Sequence, residues 1–360
     1  MGARTRGLAN NVLSSGKLDA TDAISGTIAA GNIANASLTS ATTFGSVTGG
    51  VPAVASDPPS PAEGDIWYNT TTGNLRFAAQ AGSWATGGNL NTARLGLGSS
   101  INGTQTSTIA FGGGDPTSVT NNESYNGTSW TEVNDLNTLR RSLVGAGTAT
   151  SALALGGYEP SWQAIVESWN GTSWTEIADL SNARAAGGSA GNSNTSALIT
   201  GGGPGAPSLT ESWNGSSWTE VGDLNTGRST MGHVGTQTAA LIFGGYTPPP
   251  TGATESWNGT AWTEVNDLNQ AKTDPAGEFG TSTSAVCSGG TLSGGAGLGN
   301  TELWNGTSWV ENTDLSTARG KGAGSGTSSS GLTIGGSTDG STDGNATEEW
   351  SFGVTNLTVG

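Results

Sequence analysis

The sequence has little of what metal and nucleophilic sites are built from. Its 360 residues include one cysteine, Cys287, and one histidine, His233. A single cysteine excludes a disulfide framework and a thiolate metal cluster within one chain. Charged residues make up only 11% of the chain, so helices, which favour Ala, Leu, Glu and Lys, are poorly supported. No run of 18 apolar residues is present, so we expect no membrane-spanning helix.

Positive charge is also scarce. The chain has 12 Lys and Arg against 28 Asp and Glu, which gives a net charge of -16. Such a chain repels phosphate backbones and no local basic stripe offsets this, so we expect no nucleic-acid partner. The start of the sequence lacks the apolar segment of a secretory signal, and it lacks the Ser or Thr of a myristoylation signal. We therefore expect a soluble protein, made in the cytoplasm, that does not insert into a membrane.

Tryptophan and glycine are abundant instead. The chain has 13 Trp and 61 Gly. Disordered low-complexity chains are poor in large aromatics, so the glycines indicate turns and close packing. Six tryptophans recur at spacings of 46, 44, 44, 44 and 47 residues, and the chain has six apolar runs that end in a Gly-Gly doublet. The tryptophans are Trp84, Trp130, Trp174, Trp218, Trp262 and Trp309. Repeats of this length with strand-like patterns predict the blades of a propeller.

Each repeat is expected to contain four short strands. In the repeat that includes Trp174 they are residues 142–147, the apolar run that closes at Gly157, residues 166–169 and residues 173–177. Asn170 and Gly171 separate the last two strands, and Asn-Gly between strands predicts a two-residue type I′ hairpin. On that register Trp169 lies opposite Thr172, and Trp169 and Trp174 are diagonal neighbours on one sheet face. The glycosylation triplet that begins at Asn170 is then a by-product of the turn.

The repeats resemble those of a known family. A Gly-Gly doublet that closes an apolar strand, a Glu-x-Trp strand after it and a further Trp resemble kelch repeats, which form β-propeller blades. The resemblance covers residues 84–350. Trp350 belongs to a third strand without a fourth, and Trp84 to a fourth strand without the first three. The two fragments are expected to complete one blade, because ring closure removes exposed sheet edges. The predicted fold is all-β, with a six-bladed kelch-like β-propeller over residues 62–360 after an extended segment over residues 1–61.

The first sixty residues differ in composition, with no Trp and one Phe. No helix or strand period fits their apolar residues, and such a segment cannot bury a core alone. We expect it to become ordered by threading along a partner or by winding with copies of itself, the latter as a homotrimer. Residues 25–40, SGTIAAGNIANASLTS, and residues 64–77, GDIWYNTTTGNLRF, resemble segments of tailed-phage fibre and appendage proteins. The resemblance implies that residues 1–61 anchor the chain to other virion proteins. The hairpin over residues 65–77 is expected either in the closing blade or beneath it.

The kelch resemblance requires a test for enzyme chemistry, because the galactose-oxidase-like copper oxidases are kelch propellers. Those enzymes need two His, two Tyr and a Cys around copper. This chain has only one histidine, His233, so the second histidine ligand is missing. We therefore predict no metal, no cofactor and no catalytic residue. His233 is expected to line the channel or to pack in its blade, and Cys287 to be a buried structural thiol. A glycosidase that uses two carboxylates is the less favoured alternative, because the carboxylates repeat whereas an active site is singular.

Half of the cations occupy one equivalent position, at the end of the phrase DLNTAR and its variants. They are Arg94, Arg140, Arg184, Arg228, Lys272 and Arg319. The position connects the fourth strand of one blade to the first strand of the next, near the channel mouth. We expect either a ring of cations that binds an anionic ligand, such as an acidic glycan or phosphate, or ion pairs with repeated carboxylates. The candidate carboxylates are Asp135, Asp179, Asp223, Asp267 and Asp314, or Glu123, Glu167, Glu211, Glu255, Glu302 and Glu348.

The loops between second and third strands vary while the scaffold repeats, which is how rigid scaffolds carry specificity. Tyr158, Trp162 and Tyr246 lie in these loops and are expected to offer flat surfaces to a host glycan or protein. The alternative for Trp162 is that it packs its own loop down. Together with the phage resemblance, the loops imply a virion protein, a tail-fibre or spike tip that binds the host surface. The alternatives are an architectural capsid or tail protein that contacts only other virion proteins and, from another class, a carbohydrate-active enzyme.

Overall fold

The computed structural model describes residues 51–114, 117–292 and 295–358, and of Leu357 only the backbone. The predicted anchor up to residue 50 lies outside the described residues. The described chain forms two compact units, one over residues 82–351 and one that combines residues 51–81 with 352–358. All regular structure in these ranges is β-strand, and no helix there could cross a membrane. The prediction assigned residues 62–360 to the propeller, whereas the contacts group residues 62–81 and 352–358 in the smaller unit.

The smaller unit contains the hairpin that was predicted near residues 65–77. Its strands are β1 Ala53–Val54, β2 Ile66–Asn69 and β3 Asn74–Thr86. β1 is parallel to β2, and β2 is antiparallel to β3. The Asp57 carboxylate accepts hydrogen bonds from the Asn69 amide at 2.8 Å and the Trp67 indole at 2.9 Å, and pairs with Arg76 at 3.0 Å. These hydrogen bonds lower the pKa of Asp57, and the one from Asn69 has the largest effect.

The propeller unit consists of six blades. Five are separate four-stranded sheets, and the sixth is the four-stranded part, within this unit, of a six-stranded sheet. Blade 1 has β4 Gly98–Ser99, β5 Thr108–Phe111, β6 Asn122–Tyr125 and β7 Trp130–Val133. Blade 2 has β8 Val144–Thr148, β9 Ser151–Tyr158, β10 Trp162–Trp169 and β11 Trp174–Glu176. Blade 3 has β12 Gly188–Ser193, β13 Ser196–Thr200, β14 Thr210–Trp213 and β15 Trp218–Glu220. Blade 4 has β16 Gly232–Thr236, β17 Ala239–Phe243, β18 Thr254–Trp257 and β19 Trp262–Val265. Blade 5 has β20 Gly277–Thr281, β21 Ser284–Ser288, β22 Thr301–Trp304 and β23 Trp309–Asn312.

Blade 6 closes the ring with strands from both ends of the propeller sequence. It has β24 Ala323–Thr327, β25 Ser330–Ile334, the first residues of β26 Thr347–Thr358 and the last residues of β3. The strand order is β3-β26-β25-β24. The rings of Trp84 and Trp350 are 5.0 Å apart. The predicted six blades, and their closure by strands from both ends, are confirmed.

The turn between third and fourth strands differs from the prediction. Trp169 lies directly opposite Trp174, so the loop between them has four residues instead of two. The Oδ1 atom of Asn170 accepts the backbone N–H groups two and three positions ahead of it, both at 2.9 Å. Only Gly171 in this loop has a positive φ, 93°. An Asx turn therefore replaces the predicted type I′ turn, because the asparagine side chain satisfies the backbone donors.

Tryptophan rings also join neighbouring blades. The indole of Trp309 in blade 5 donates to Thr254 Oγ1 in blade 4 at 3.1 Å, and Trp262 in blade 4 donates to Thr210 Oγ1 in blade 3 at 3.1 Å. Cys287 is fully buried between blades 4 and 5 in a cluster with Trp309. Desolvation raises the pKa of its thiol to about 12. The prediction that Cys287 is a buried structural thiol is confirmed.

Candidate functional site

The six repeated cations are buried, each against one glutamate of the blade that the chain is about to form. Arg140 donates from Nη1 to Glu167 Oε1 at 2.6 Å, and Arg319 Nη1 lies 2.6 Å from Glu348 Oε1. The other pairs are Arg94–Glu123, Arg184–Glu211, Arg228–Glu255 and Lys272–Glu302. No side chain of the six pairs is more than 5% exposed. The prediction of an accessible cation ring for an anionic ligand is therefore wrong, and the alternative of ion pairing with the glutamates is confirmed.

These glutamates also organise the connections between blades. Glu167 Oε2 accepts the backbone N–H of Asn137 at 2.7 Å and its side-chain amide at 2.8 Å. The Arg140 guanidinium further donates to the carbonyls of Gly156 and Thr138, both at 2.8 Å. Buried charges need such saturation with partners, because desolvation costs several kcal/mol per ion. The same desolvation lowers the pKa of Arg94, an effect that Glu123 opposes.

The glycine doublets place the variable loops and the connections on one face of the propeller unit, called the loop face from here on. The second glycine of each doublet donates its N–H to the carbonyl of the cation in the outgoing connection, as Gly157 does to Arg184 at 2.9 Å. The two glycines of the doublets have φ of 56–64° and 92–121°, values that glycine adopts without a steric penalty. The loop face therefore has a fixed backbone beneath loops of different sequence.

The three aromatic residues predicted as ligand-binding lie on the loop face. Tyr158 and Trp162 pair across the end of the β9–β10 hairpin, so most of the segment predicted as a loop between Gly157 and the third strand is itself strand. Their rings are 5.2 Å apart, and the Arg141 guanidinium carbon lies 5.5 Å from the Tyr158 ring centre. Trp162 is 41% exposed and Tyr246 is 42% exposed. No observation tests whether they bind a ligand, so this remains a prediction.

The centre of the propeller unit is a channel with a cavity of about 580 Å³. Six equivalent residues line it where the chain enters the first strand of each blade, and each donates its N–H to the carbonyl of its counterpart in the preceding blade at 2.7–3.0 Å. They are Gly96, Ser142, Ala186, Thr230, Asp274 and Lys321. All six have φ between 47° and 58°, a conformation that costs non-glycine residues energy and recurs at functional sites. The mouth of the channel is thus a closed circle of backbone hydrogen bonds, called the mouth ring.

The opposite end of the channel is closed by the loop between β4 and β5. The Asn102 backbone N–H donates to Gly147 O of blade 2 at 3.0 Å. Its side-chain amide donates to Gly191 O of blade 3 at 2.7 Å and to Gly235 O of blade 4 at 2.9 Å. The preceding Ile101 lines the cavity and accepts an N–H from blade 6. The loop of blade 1 therefore crosses the channel and leaves a blind cavity that opens on the loop face.

One pair of titratable side chains lines this cavity below the mouth ring. His233 on β16 and Glu278 on β20 approach to 3.5 Å between Nδ1 and Oε1, and they are 5% and 6% exposed. Within the described ranges, neither His233 Nδ1 nor Glu278 Oε2 has a hydrogen-bond partner. The equivalent residues in the other blades are Ser99, Gly145, Ser189 and Gly324. The expectation that His233 lines the channel is confirmed, and the pair makes one sector of a repeated wall unlike the rest.

Burial makes both members of the pair neutral over a wide pH range. Desolvation lowers the pKa of His233 to about 4, against the opposing effect of a hydrogen bond with the Met231 backbone, and desolvation raises the pKa of Glu278 to about 8. At neutral pH the imidazole is therefore uncharged and the carboxyl group largely keeps its proton. A neutral imidazole and a carboxylic acid each offer one donor and one acceptor. The pair can exchange hydrogen bonds with an uncharged polar molecule without burying a net charge.

Sequence reasoning missed Glu278 and Asn102. A signal for Glu278 existed, since the repeat has serine or glycine at the equivalent position of four blades and departs from it only at His233 and Glu278. For Asn102 the only signal was the longer first turn of blade 1. Among the described residues, no group of three or more His, Cys, Asp and Glu could hold a metal ion.

Comparison with known proteins identifies the fold. No family model matches the sequence, and no curated protein matches it. Among solved structures, one described as "Structure of YjhT" is similar, with a TM-score of 0.59 and 14% sequence identity over 75% of this chain and 99% of that chain. At this identity the similarity shows the fold alone. Together with the six sheets, it shows that the chain contains a six-bladed β-propeller.

Proposed function

We propose that this protein is a non-enzymatic binding protein of a tailed-phage virion, a tail-fibre or spike tip that attaches to the host surface through the loop face. The observation that carries the proposal is the position of the large apolar side chains that the described propeller leaves exposed. Four of the five lie on the loop face, namely Leu139, Trp162, Tyr246 and Leu292, and the fifth is Val310 on β23. Exposed apolar groups that cluster on one face are typical of binding surfaces.

The scaffold supports this role by its rigidity. The glycine doublets and buried ion pairs hold the base of every variable loop in the same way, so loop sequence can change without loss of the fold. Placement in a virion rests on the resemblance of residues 25–40 and 64–77 to phage appendage segments. With several copies in one particle, contacts that are weak individually would together give strong attachment.

The proposal that the protein is not an enzyme rests on its carboxylates. The repeated glutamates on the third strands are bound to buried cations and backbone N–H groups, so they cannot act as an acid and a base on a substrate. Incubation of the purified chain with host surface polysaccharide should leave the length of the polymer unchanged. Shortened polymer would contradict this part of the proposal.

Attachment through the loop face is tested by adsorption of the purified chain to cells of the bacterial strain that the phage infects. We expect Tyr246→Ala and Trp162→Ala to reduce adsorption at least tenfold. Thr219→Ala on β15, away from the loop face, is the matched control and should adsorb normally. Equal adsorption of all variants would contradict the proposal. A particle reconstruction with the loop face buried against other virion proteins would instead favour the architectural role.

A further inference from the structure

We propose that the blind channel is a binding pocket for one uncharged sugar residue, held at its inner end by His233 and Glu278. This inference goes beyond attachment through the loop face, because it names an enclosed site whose inner residues, His233 and Glu278, lie below the mouth ring. Of the exposed apolar residues of the loop face, Trp162 also lines the cavity, whereas Leu139, Tyr246 and Leu292 do not.

The shape of the channel supports a ligand site. A cavity of about 580 Å³ lies within the range of roughly 300–1,000 Å³ that is usual for small-molecule pockets. The Asn102 loop closes one end through hydrogen bonds to three other blades, so the cavity is a cup and not a pore. Its open end lies beside Tyr158 and Trp162, whose rings can pack against the C–H face of a sugar.

The pair of polar side chains is not needed for the fold. At the equivalent position two blades have glycine and two have serine, and both serine hydroxyls are satisfied by the wall itself. Ser99 Oγ donates to Gly324 O at 2.6 Å, and Ser189 Oγ donates to Gly145 O at 2.7 Å. In contrast, Glu278 Oε2 and His233 Nδ1 have no hydrogen-bond partner in the described ranges. A buried polar group without a partner costs roughly 1–3 kcal/mol. Other buried side chains with such atoms, Arg228 and Lys272 for example, belong to the ion pairs between blades, whereas His233 and Glu278 line the cavity, where a ligand can reach the pair.

The chemistry of the pair selects an uncharged ligand with hydroxyl groups. A hydroxyl donates one hydrogen bond and accepts others, which matches the donor and acceptor of a neutral imidazole and of a carboxylic acid. A charged ligand would find no free opposite charge at this depth. The charged groups that line the cavity belong to the mouth region: Asp274 accepts from Thr273 Oγ1 at 2.7 Å, Lys321 Nζ donates to Gly340 O at 2.6 Å, and Arg141 stacks on Tyr158.

The test uses the imidazole NMR signals of His233, which is the chain's only histidine. The probes are the methyl pyranosides of glucose, galactose, mannose and N-acetylglucosamine, with galacturonate and glucosamine as charged comparators. We expect at least one neutral glycoside to shift the His233 signals saturably, and to bind at least tenfold more tightly than the charged comparators. Failure of all four neutral glycosides to shift the signals, or tighter binding of a charged sugar, would overturn the proposal.

Variants separate this site from the loop face and from a structural role of the pair. Glu278→Ser introduces the residue that blades 1 and 3 have at the same position, so it should fold, and we expect it to weaken sugar binding at least tenfold while its free energy of unfolding is unchanged or higher. Tyr246→Ala, which lies outside the cavity, should bind the sugar normally even if adsorption to cells is lost. Unchanged sugar affinity in Glu278→Ser would overturn the proposal, and so would weaker binding that accompanies a loss of folded protein in both Glu278→Ser and His233→Ser.

Discussion

At the scale of single residues, buried charge is used as a structural element six times. Arg140 and Glu167 are both fully buried. The pair adds little net stability compared with an apolar pair, because removing each charge from water costs several kcal/mol. Its effect is positional, since the same glutamate also holds the backbone of the incoming connection. The pairs therefore set the register between blades more than they add to stability.

The first prediction concerns one partner of this pair. Arg140→Met should lower the free energy of unfolding by roughly 3–5 kcal/mol, because Glu167 is left as an uncompensated buried charge. The double variant Arg140→Met/Glu167→Leu should recover most of that loss. Urea unfolding followed by tryptophan fluorescence measures both. A loss below about 1 kcal/mol in the single variant would contradict this account.

The second prediction concerns the pH dependence that the channel pair imposes. The pKa of Glu278 is 4.5 before burial and about 8 in the fold, so the unfolded chain loses this proton first and stability falls as pH rises from 4.5 to 8. The pKa of His233 is 6.5 before burial and about 4 in the fold, so stability falls as pH falls from 6.5 to 4. Each slope is at most about 1.4 kcal/mol per pH unit.

Single substitutions should separate these two slopes. Relative to the natural chain, Glu278→Ser should gain stability progressively as pH rises from 4.5 to 8, because the decline on the alkaline side disappears. His233→Ser should remove the decline on the acid side and leave the other. Urea midpoints across this pH range provide the measurement. Parallel pH profiles in the natural chain and both variants would show that neither group titrates as described.

At the scale of elements, the recurring unit is the third-to-fourth-strand hairpin with its Asx turn. Gly171 has a φ of 93° and its counterparts Gly127, Gly215, Gly259 and Gly306 lie within 90–93°. The third prediction is that Gly171→Ala costs roughly 1–2 kcal/mol, since a Cβ is disfavoured in the left-handed region. Thr172→Ala, in the same turn, is the matched control and should change stability by less than about 0.5 kcal/mol. Equal effects of the two changes would refute the role of φ.

The hairpin also shows how far sequence reasoning reaches. The tryptophan spacing predicted the existence and the number of blades, because repeats of 44 to 47 residues with strand-like patterns are typical of propellers. The turn type was mistaken, since Asn-Gly suits both a two-residue type I′ turn and the four-residue Asx turn, and the two hydrogen bonds that the asparagine side chain accepts decide between them. The register of Trp169 shifted accordingly, although it still shares a face with Trp174.

The site was less predictable than the fold for a related reason. The six cations were found by their spacing, and ion pairing with repeated carboxylates was expected as the alternative to a ligand site. The choice of the glutamates over the aspartates, and the burial of the pairs, follow only from the assembled blades. Similarly, His233 and Glu278 are 45 residues apart in sequence and meet because adjacent first strands line the channel. Proximity of this kind follows from the ring as a whole and not from any one repeat.

At the scale of the whole propeller unit, the mouth ring ties every blade to two neighbours, and tryptophan hydrogen bonds reinforce junctions such as those between blades 3 and 4 and between blades 4 and 5. The fourth prediction is a single cooperative unfolding transition for this unit. Trp350→Ala, in the closing blade, should lower its stability by roughly 3–5 kcal/mol. The urea curves from tryptophan fluorescence and far-ultraviolet circular dichroism should still coincide. Two separated transitions in that variant would mean that the blades unfold independently of closure.

The mouth ring has a consequence for engineering. Its six positions already hold glycine, alanine, serine, threonine, aspartate and lysine on the same backbone conformation, so the geometry accommodates small, hydroxyl, acidic and basic side chains. A library randomised at these positions alone would present six adjustable groups around one aperture, with the carbonyl-to-amide circle beneath them unaltered. Natural variants of such a scaffold could change which molecules pass the mouth ring through a few mutations, while every strand stays the same.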